Sequence, residues 1–230
     1  MNQLNLGLEL PASKKEDVVQ TIKRYTGKCR DCALGYKFPN NYGFVWRGNP
    51  KASLAWIGIM PADKEWETGR AMMGEGGNLL NKWCSFLGIN ADKDSFIGNV
   101  LQCITPRVKK DPKEPGKGEF RPPDKEELAV CFPRCLNVLR AMPNLKVVVL
   151  LGAVAQEQFA GADNPYGQGD WFTNDRLLPG VLFYCMPHPA FVLRSDHPIY
   201  QWSEEKFGNA ERLLGYLKAV LDKLKKGEPL

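Results

Sequence analysis

The chain lacks any apolar run long enough to cross a bilayer. Its longest, Val147 to Leu151, resumes after Gly152 only as Ala153 to Ala155, whereas a span needs about 20 residues. It also lacks a basic segment followed by an apolar stretch at its start, where MNQLNLGLELPASKK stands. No signal peptide is read there, and the expected compartment is the cytoplasm. Internal repeats and low-complexity tracts are missing as well. No charge of one sign dominates: 31 Lys and Arg face 26 Asp and Glu, leaving a net +5. That balance permits a polyanionic partner without demanding one. The seven cysteines are odd in number, which fits poorly with complete pairing. In a reducing compartment they are better read as metal or cluster ligands, with buried spectators for the remainder.

What is present reads as an ordinary globular chain. With 230 residues, 43% hydrophobic and 25% charged, it is expected to form one domain over 1–230 around a single large core. Ser13-Lys14-Lys15-Glu16 has the form of a capping box opening a helix to about Tyr25. A turn-rich stretch follows from Gly27 to Pro50. Leu54 to Met60, Phe96 to Cys103, Lys146 to Leu151 and Val181 to Met186 are apolar runs suited to buried strands. Between them, Gly76 to Leu87, Asp124 to about Met142, and a segment starting at Val154 to Phe159 carry helical patterning. Thr105 to Pro123, rich in Pro, Gly and Lys, reads as a loop. Pro133 is expected to kink the helix around it or shift its boundary. Ser203 to Lys226 closes the chain as a long helix.

Alternation of this kind predicts an α/β fold, a three-layer α/β/α sandwich with a central four-stranded, mostly parallel sheet. Functional residues then belong at the carboxyl ends of the strands. Met60-Pro61-Ala62, Asn99 to Cys103, Gly152 and Pro187-His188-Pro189 all fall there.

Cys29-Arg30-Asp31-Cys32 is a close thiol pair, and Cys103 and Cys131 are two distant ones. Four thiolates suit an iron–sulfur cluster or zinc, although structural zinc sites more often use two close pairs. On spacing alone, cluster, zinc and chance carry similar weight. Cys84, Cys135 and Cys185 fall on apolar faces and read as spectators, Cys135 being the doubtful one because it lies one helical turn from Cys131.

Several segments line up in order with one family: Val45-Trp46-Arg47-Gly48-Asn49-Pro50, then Gly58-Ile59-Met60-Pro61-Ala62, then Glu65 to Gly74, then Asn99-Val100-Leu101-Gln102-Cys103, and last His188-Pro189-Ala190 with Leu193-Arg194. The chain resembles the iron–sulfur uracil-DNA glycosylases, the family-four and family-five branches, over about residues 20 to 220. The resemblance implies a structural [4Fe-4S] cluster on Cys29, Cys32, Cys103 and Cys131, with the cluster loop region at about 27–50 and 103–135, ordering a loop near DNA. It implies that Gly58, Ile59, Met60, Pro61, Ala62, Met72 and Asn99 form the base pocket. By the same resemblance His188 stabilises the departing anionic base and Asn99 reads its edge. The departures are specific. Ile59 and Met60 stand in a motif that is Gly-Glu-Ala-Pro-Gly in family four. Ala71-Met72 replaces Pro-Phe, whose Phe is the stacking platform. Glu75 stands where family five has Asp, and Ala190 replaces Ser.

Glu75 is the first choice of carboxylate for positioning water, with Glu65 and Asp63 behind it. For DNA contact the candidates are Arg47, Arg107 and Arg194, with Phe191 and Leu193 as wedges into the gap left by a flipped nucleotide. From Lys23 to Lys51 there are seven basic residues against Asp31 alone, a pattern suited to phosphate. The expected function is a monomeric DNA glycosylase, with uracil or a related deaminated base ranked first. A bulky 5-hydroxymethyl or glucosylated pyrimidine of phage DNA, removed in antiviral defence, ranks second. A non-catalytic DNA-binding relative and an iron–sulfur electron carrier are the readings from other classes.

Overall fold

The computed structural model describes residues 17–109, 118–161, 163, 165–194 and 209–228. Helices α1 (Val18–Tyr25) and α2 (Ala33–Lys37) lead to strands β1 (Arg47–Gly48) and β2 (Leu54–Gly58). Helices α3 (Asp63–Thr68), α4 (Glu75–Phe86) and α5 (Ala91–Asp94) connect to β3 (Ser95–Asn99). The hairpin of β4 (Arg107–Val108) and β5 (Glu119–Phe120) precedes α6 (Lys125–Ala141), β6 (Val147–Leu151) and α7 (Ala153–Ala160). Strands β7 (Trp171–Thr173) and β8 (Leu182–Met186) and helices α8 (Pro189–Arg194) and α9 (Asn209–Lys226) complete the fold. Among the described residues no helix is long and apolar enough to cross a membrane.

The sheet has the order β1-β3-β2-β6-β8-β7. The four inner strands are parallel, pairing Leu54 with Ser95, Leu54 with Val147, and Val147 with Leu182. β2, β3 and β6 are buried along their whole length, as a parallel sheet covered on both faces requires. Their side chains divide between two cores. Ala55, Ile57, Phe96, Val148, Leu150 and Phe183 pack with α1, α6 and α7. Leu54, Trp56, Ile97, Val147, Val149 and Tyr184 pack with α4 and α9 on the other face. The α/β/α layering is therefore as expected.

The sheet is larger than expected, six strands and mixed. β1 and β7 run antiparallel at its two edges, against β3 and β8. At two and three residues they are too short to show alternation, and β1 lies inside the stretch read as turns. The long loop after Thr105 likewise holds the β4–β5 hairpin. Helix α6 runs through Pro133 without a break. Its Asp124–Glu127 capping box is formed. The box at Ser13 to Glu16 lies outside the described residues. The cap seen on α1 is Asp17, whose side chain accepts from Val19 N–H at 2.9 Å. The start of the last helix, from Ser203, is also outside the described residues.

Candidate active site

Three chemically distinct side chains meet at the carboxyl end of β2. A Cβ placed on Gly58 would lie 2.7 Å from Met72 Cε, 2.8 Å from Asn99 Oδ1 and 3.5 Å from His188 Nε2. Gly58 is thus a floor that only glycine leaves open. Asn99 closes β3 and His188 follows β8, so the strands deliver both residues to one point from 89 residues apart in sequence. The cavity above this floor has a volume of about 240 Å³. That is below the roughly 300–1,000 Å³ that drug-sized ligands occupy, and suits one small ring.

His188 faces this cavity with a defined tautomer. Ala190 N–H donates to its Nδ1 at 3.2 Å, which leaves the neutral ring's proton on Nε2, the atom nearest Gly58. Burial, and then the Arg194 cation, push the imidazole down to about 4, with Glu65 opposing weakly. Protonation at Nδ1 would also set two donors face to face. His188 is therefore a neutral donor at ordinary pH. Asn99 is 1% exposed, and its Oδ1 is buried without a partner. An orphaned acceptor of this kind costs free energy until something donates to it. Its backbone carbonyl is fixed by Gln102, whose Nε2 donates at 2.6 Å.

Met72 has φ 53°, the one non-glycine residue with positive φ among those described. Strain of this sort persists only where neighbours enforce it. The enforcers are visible on both sides. Arg47 Nε donates to the Ala71 carbonyl at 2.8 Å. Glu65 Oε1 accepts from Met73 N–H at 2.6 Å and Gly74 N–H at 3.1 Å, and its Oε2 accepts from Ala62 N–H at 3.0 Å. Glu65 therefore ties the turn of Ile59 to Ala62 to the turn carrying Met72. Gly77 permits the fold of that turn, since a Cβ there would fall 1.7 Å from the Met72 carbonyl oxygen.

The carboxylates separate by role. Glu65 is buried with its oxygens occupied, and Asp63 is held by Arg107 at 2.5 Å. Glu75, exposed in the first turn of α4, lines the cavity and has no hydrogen bond or ion pair among the described residues.

The expected DNA-contact residues divide. Arg47 is displaced from that role: it is 5% exposed and spends its guanidinium on Ala71, Asn81 and Asp92. Arg107 sits on a groove rim, but it braces the hairpin, 3.9 Å over the Phe120 ring and bonded to Gly118 O. Phe191 and Leu193 stand outward at 48% and 40% exposure, while Val192 between them is buried. Arg194 lines the small cavity and a larger groove of about 700 Å³ that shares Met60, Ala62, His188 and Ala190 with it. Ile59 and Pro61 face that groove. A third cavity, of about 770 Å³, lies by Leu54 and Lys146 at the other end of the strands and holds none of the candidate catalytic, base-pocket, DNA-contact or metal residues.

Cys29, Cys32, Cys103 and Cys131 gather on the α6 side. Burial pushes the Cys103 thiol up to about 12, and Cys131, Cys29 and Cys32 add to the effect. Burial does the same to Cys131, against the opposing pull of an N–H donated by Gln102 at 3.3 Å and of Arg134. Asn41 shapes the Cys29–Cys32 loop, accepting from Cys29 N–H and donating to the carbonyls of Cys29 and Phe38. No three His, Cys, Asp or Glu side chains among the described residues converge on a single ion. Four cysteine thiols on one side of the sheet are a donor set that fits an iron–sulfur cluster, one thiolate to each iron. The amide already donated to Cys131 Sγ and the adjacent guanidinium suit bound thiolates.

Comparison with known proteins points to one superfamily. The family model of the uracil DNA glycosylase superfamily matches residues 45–210. A protein of Thermotoga maritima named type-4 uracil-DNA glycosylase is 27% identical over 190 residues, covering 79% of this chain and 86% of that one. Proteins of the same name from Archaeoglobus fulgidus and Saccharolobus solfataricus are 31% identical (77% and 82% covered) and 25% identical (90% and 91% covered).

Proposed function

The chain belongs to the uracil DNA glycosylase superfamily, and from that membership we propose that it removes uracil from DNA by hydrolysing the N-glycosidic bond. The observation that carries the reading is the meeting of Met72, Asn99 and His188 over Gly58. A base inside a duplex is out of reach, so the nucleotide is flipped into the cavity at a cost of about a few kcal/mol. Asn99 takes the base's edge, its orphaned Oδ1 accepting from a ring N–H. Met72 lies against the ring through its soft side chain. As the bond breaks, its electron pair leaves with the base, and negative charge grows on the base's exocyclic carbonyl oxygen O2 while the sugar becomes cationic. His188 Nε2–H is already aimed there in neutral form and donates to that oxygen, a stabilisation preorganised before the reaction. Glu75 orients the water that adds to the sugar carbon and accepts the proton that water gives up, leaving the free sugar hydroxyl. Phe191 and Leu193 occupy the vacated space in the helix, and Arg194 meets phosphate.

The expected result is alkali-labile strand breaks at uracil, and not at thymine or cytosine, in end-labelled single- and double-stranded DNA resolved on denaturing gels. DNA binding without any breaks would leave a non-catalytic relative. A second reading rests on the wall shared with the larger groove, together with Ala190 and a pliant Met72. It gives room for a bulky 5-substituted pyrimidine, and breaks confined to hydroxymethylated or glucosylated substrates would select it.

The cluster reading assigns Cys29, Cys32, Cys103 and Cys131 as ligands of a [4Fe-4S] group, which when bound supplies a covalent tie between the 29–32 loop, the end of β3 and α6. Cys103→Ser is expected to lose visible absorbance, iron and acid-labile sulfide. Cys135→Ala, a fully buried neighbour, is expected to keep all three. The opposite pattern would reassign the fourth ligand.

A further inference from the structure

Beside the cysteine loop lies an aromatic surface that the excision chemistry does not use. Asn41 gathers the chain there, its Nδ2 reaching the carbonyls of Cys29, Gly35 and Phe38, so Tyr36, Phe38 and Tyr42 surround one hub. Trp66, from α3, meets Phe38 edge-on with centroids at 5.7 Å and Tyr42 at 6.3 Å. Phe38 and Trp66 are half-buried and hold one another. Tyr42 is partly spent, its hydroxyl donating to the Glu67 carbonyl. Tyr36 is different. It is 70% exposed, and its ring has no partner among the described residues. Packing therefore gives no reason for an aromatic at this position.

The charge around it is positive. Lys28 and Lys37 are exposed and have no ion pair among the described residues. The nearby acid Asp31 is neutralised by Arg134. Glu67 is paired with Lys64 at 3.0 Å. The aromatic group is linked to the substrate groove through α3. Trp66 stands one turn along α3 from Asp63, whose ion pair with Arg107 forms the groove's rim.

We propose that Tyr36, with Lys37 next to it in α2 and Lys28 leading into the cysteine loop, binds unpaired bases of a single-stranded segment flanking the flipped nucleotide. This rests on DNA being the substrate. A phosphate-bearing chain satisfies the lysines, and an unpaired base offers the ring face that Tyr36 needs, whereas the bases of a duplex are stacked on one another and turned inward. Base–aromatic stacking of this kind tolerates any sequence.

The test measures binding by fluorescence anisotropy, using labelled oligothymidine of 6 and 20 nucleotides and a matched 20-base-pair duplex, none containing uracil. Tyr36→Ala is expected to weaken binding of the 20-nucleotide strand about fivefold or more and to leave the duplex unchanged. Tyr36→Phe is expected to restore wild-type affinity. On a single-stranded uracil substrate the alanine variant should raise KM at constant kcat. Equal losses on strand and duplex, or no loss on the strand, would overturn the proposal. Because the binding arms involve no chemistry, a protein that excises nothing but shows the Tyr36 effect would retain this surface and lose the glycosylase reading.

Discussion

His188→Ala is expected to excise uracil about 10²–10³-fold more slowly than the wild type, the loss typical of removing one preorganised donor at a developing oxyanion. The loss should fall on kcat in single-turnover assays, because Nε2–H meets charge that exists only as the bond breaks. Substrate affinity should change little, since Asn99 and Met72 still hold the base. The pH profile adds a second signature. Burial and Arg194 hold the folded imidazole at about 4, below its usual 6.5, so the wild-type rate should show no His188 titration between about pH 5 and 8. A wild-type rate that climbs as the ring is protonated near 6.5 would mean an imidazolium acid instead. Stability follows the same shift. As pH falls from 6.5 towards 4 the unfolded chain binds a proton that the folded ring refuses, so the native state loses stability across that window and is unaffected by this group above it. His188→Ala should flatten that slope in thermal melts.

Arg47→Ala is expected to destabilise the fold by about 3 kcal/mol, the upper scale for leaving a buried acceptor, the Ala71 carbonyl, without its donor, with the bonds to Asn81 and the half-exposed Asp92 lost besides. For a chain of this size that lowers Tm by about 6–12 °C. The change leaves the Ala71 carbonyl, Asn81 Oδ1 and Asp92 without their donor. It also removes one of the two restraints on the turn at Met72, so excision should fall along with Tm. Non-specific duplex affinity and its salt slope should stay as in the wild type, because the side chain is only 3% exposed. A reduced salt slope at unchanged Tm would return Arg47 to the DNA surface.

Arg47 shows where reading the sequence reached its limit. A basic residue beside a DNA-glycosylase motif reads as a phosphate ligand. Its actual partners are Ala71, Asn81 and Asp92, 24, 34 and 45 residues away, and nothing local announces them. The four parallel strands were legible because each is a short apolar run between turn and helix signals. The edge strands β1 and β7 were not, since two or three residues carry no period. His188 and Asn99 were placed by resemblance and by the rule that sites gather at strand ends, and the structure brings them together at Gly58. Glu65 stood in the sequence as a second choice for water. Its position three residues after Ala62 at a helix start was the available sign that it would turn to backbone amides instead. Gln102 stood only as a member of the Asn99–Cys103 segment with no role of its own, because a glutamine's partners are set wholly by the tertiary fold.

That glutamine joins two places usually considered apart. Its N–H rests on Cys131 Sγ, its amide oxygen holds Val45 N–H at 2.8 Å, and its amide nitrogen holds the Asn99 carbonyl. A change at Cys131 therefore has a hydrogen-bonded path through Gln102 to Asn99, the residue proposed to hold the base. Thermodynamic reciprocity then applies in both directions. If an occupied thiolate site tightens the hold on a base by some factor, a base seated on Asn99 tightens the hold on the cluster by that same factor. On the proposed cluster reading, cofactor retention becomes a reporter of the substrate: chelator-driven bleaching in the presence of a non-cleavable uracil oligonucleotide would measure, in iron, how firmly the base is held.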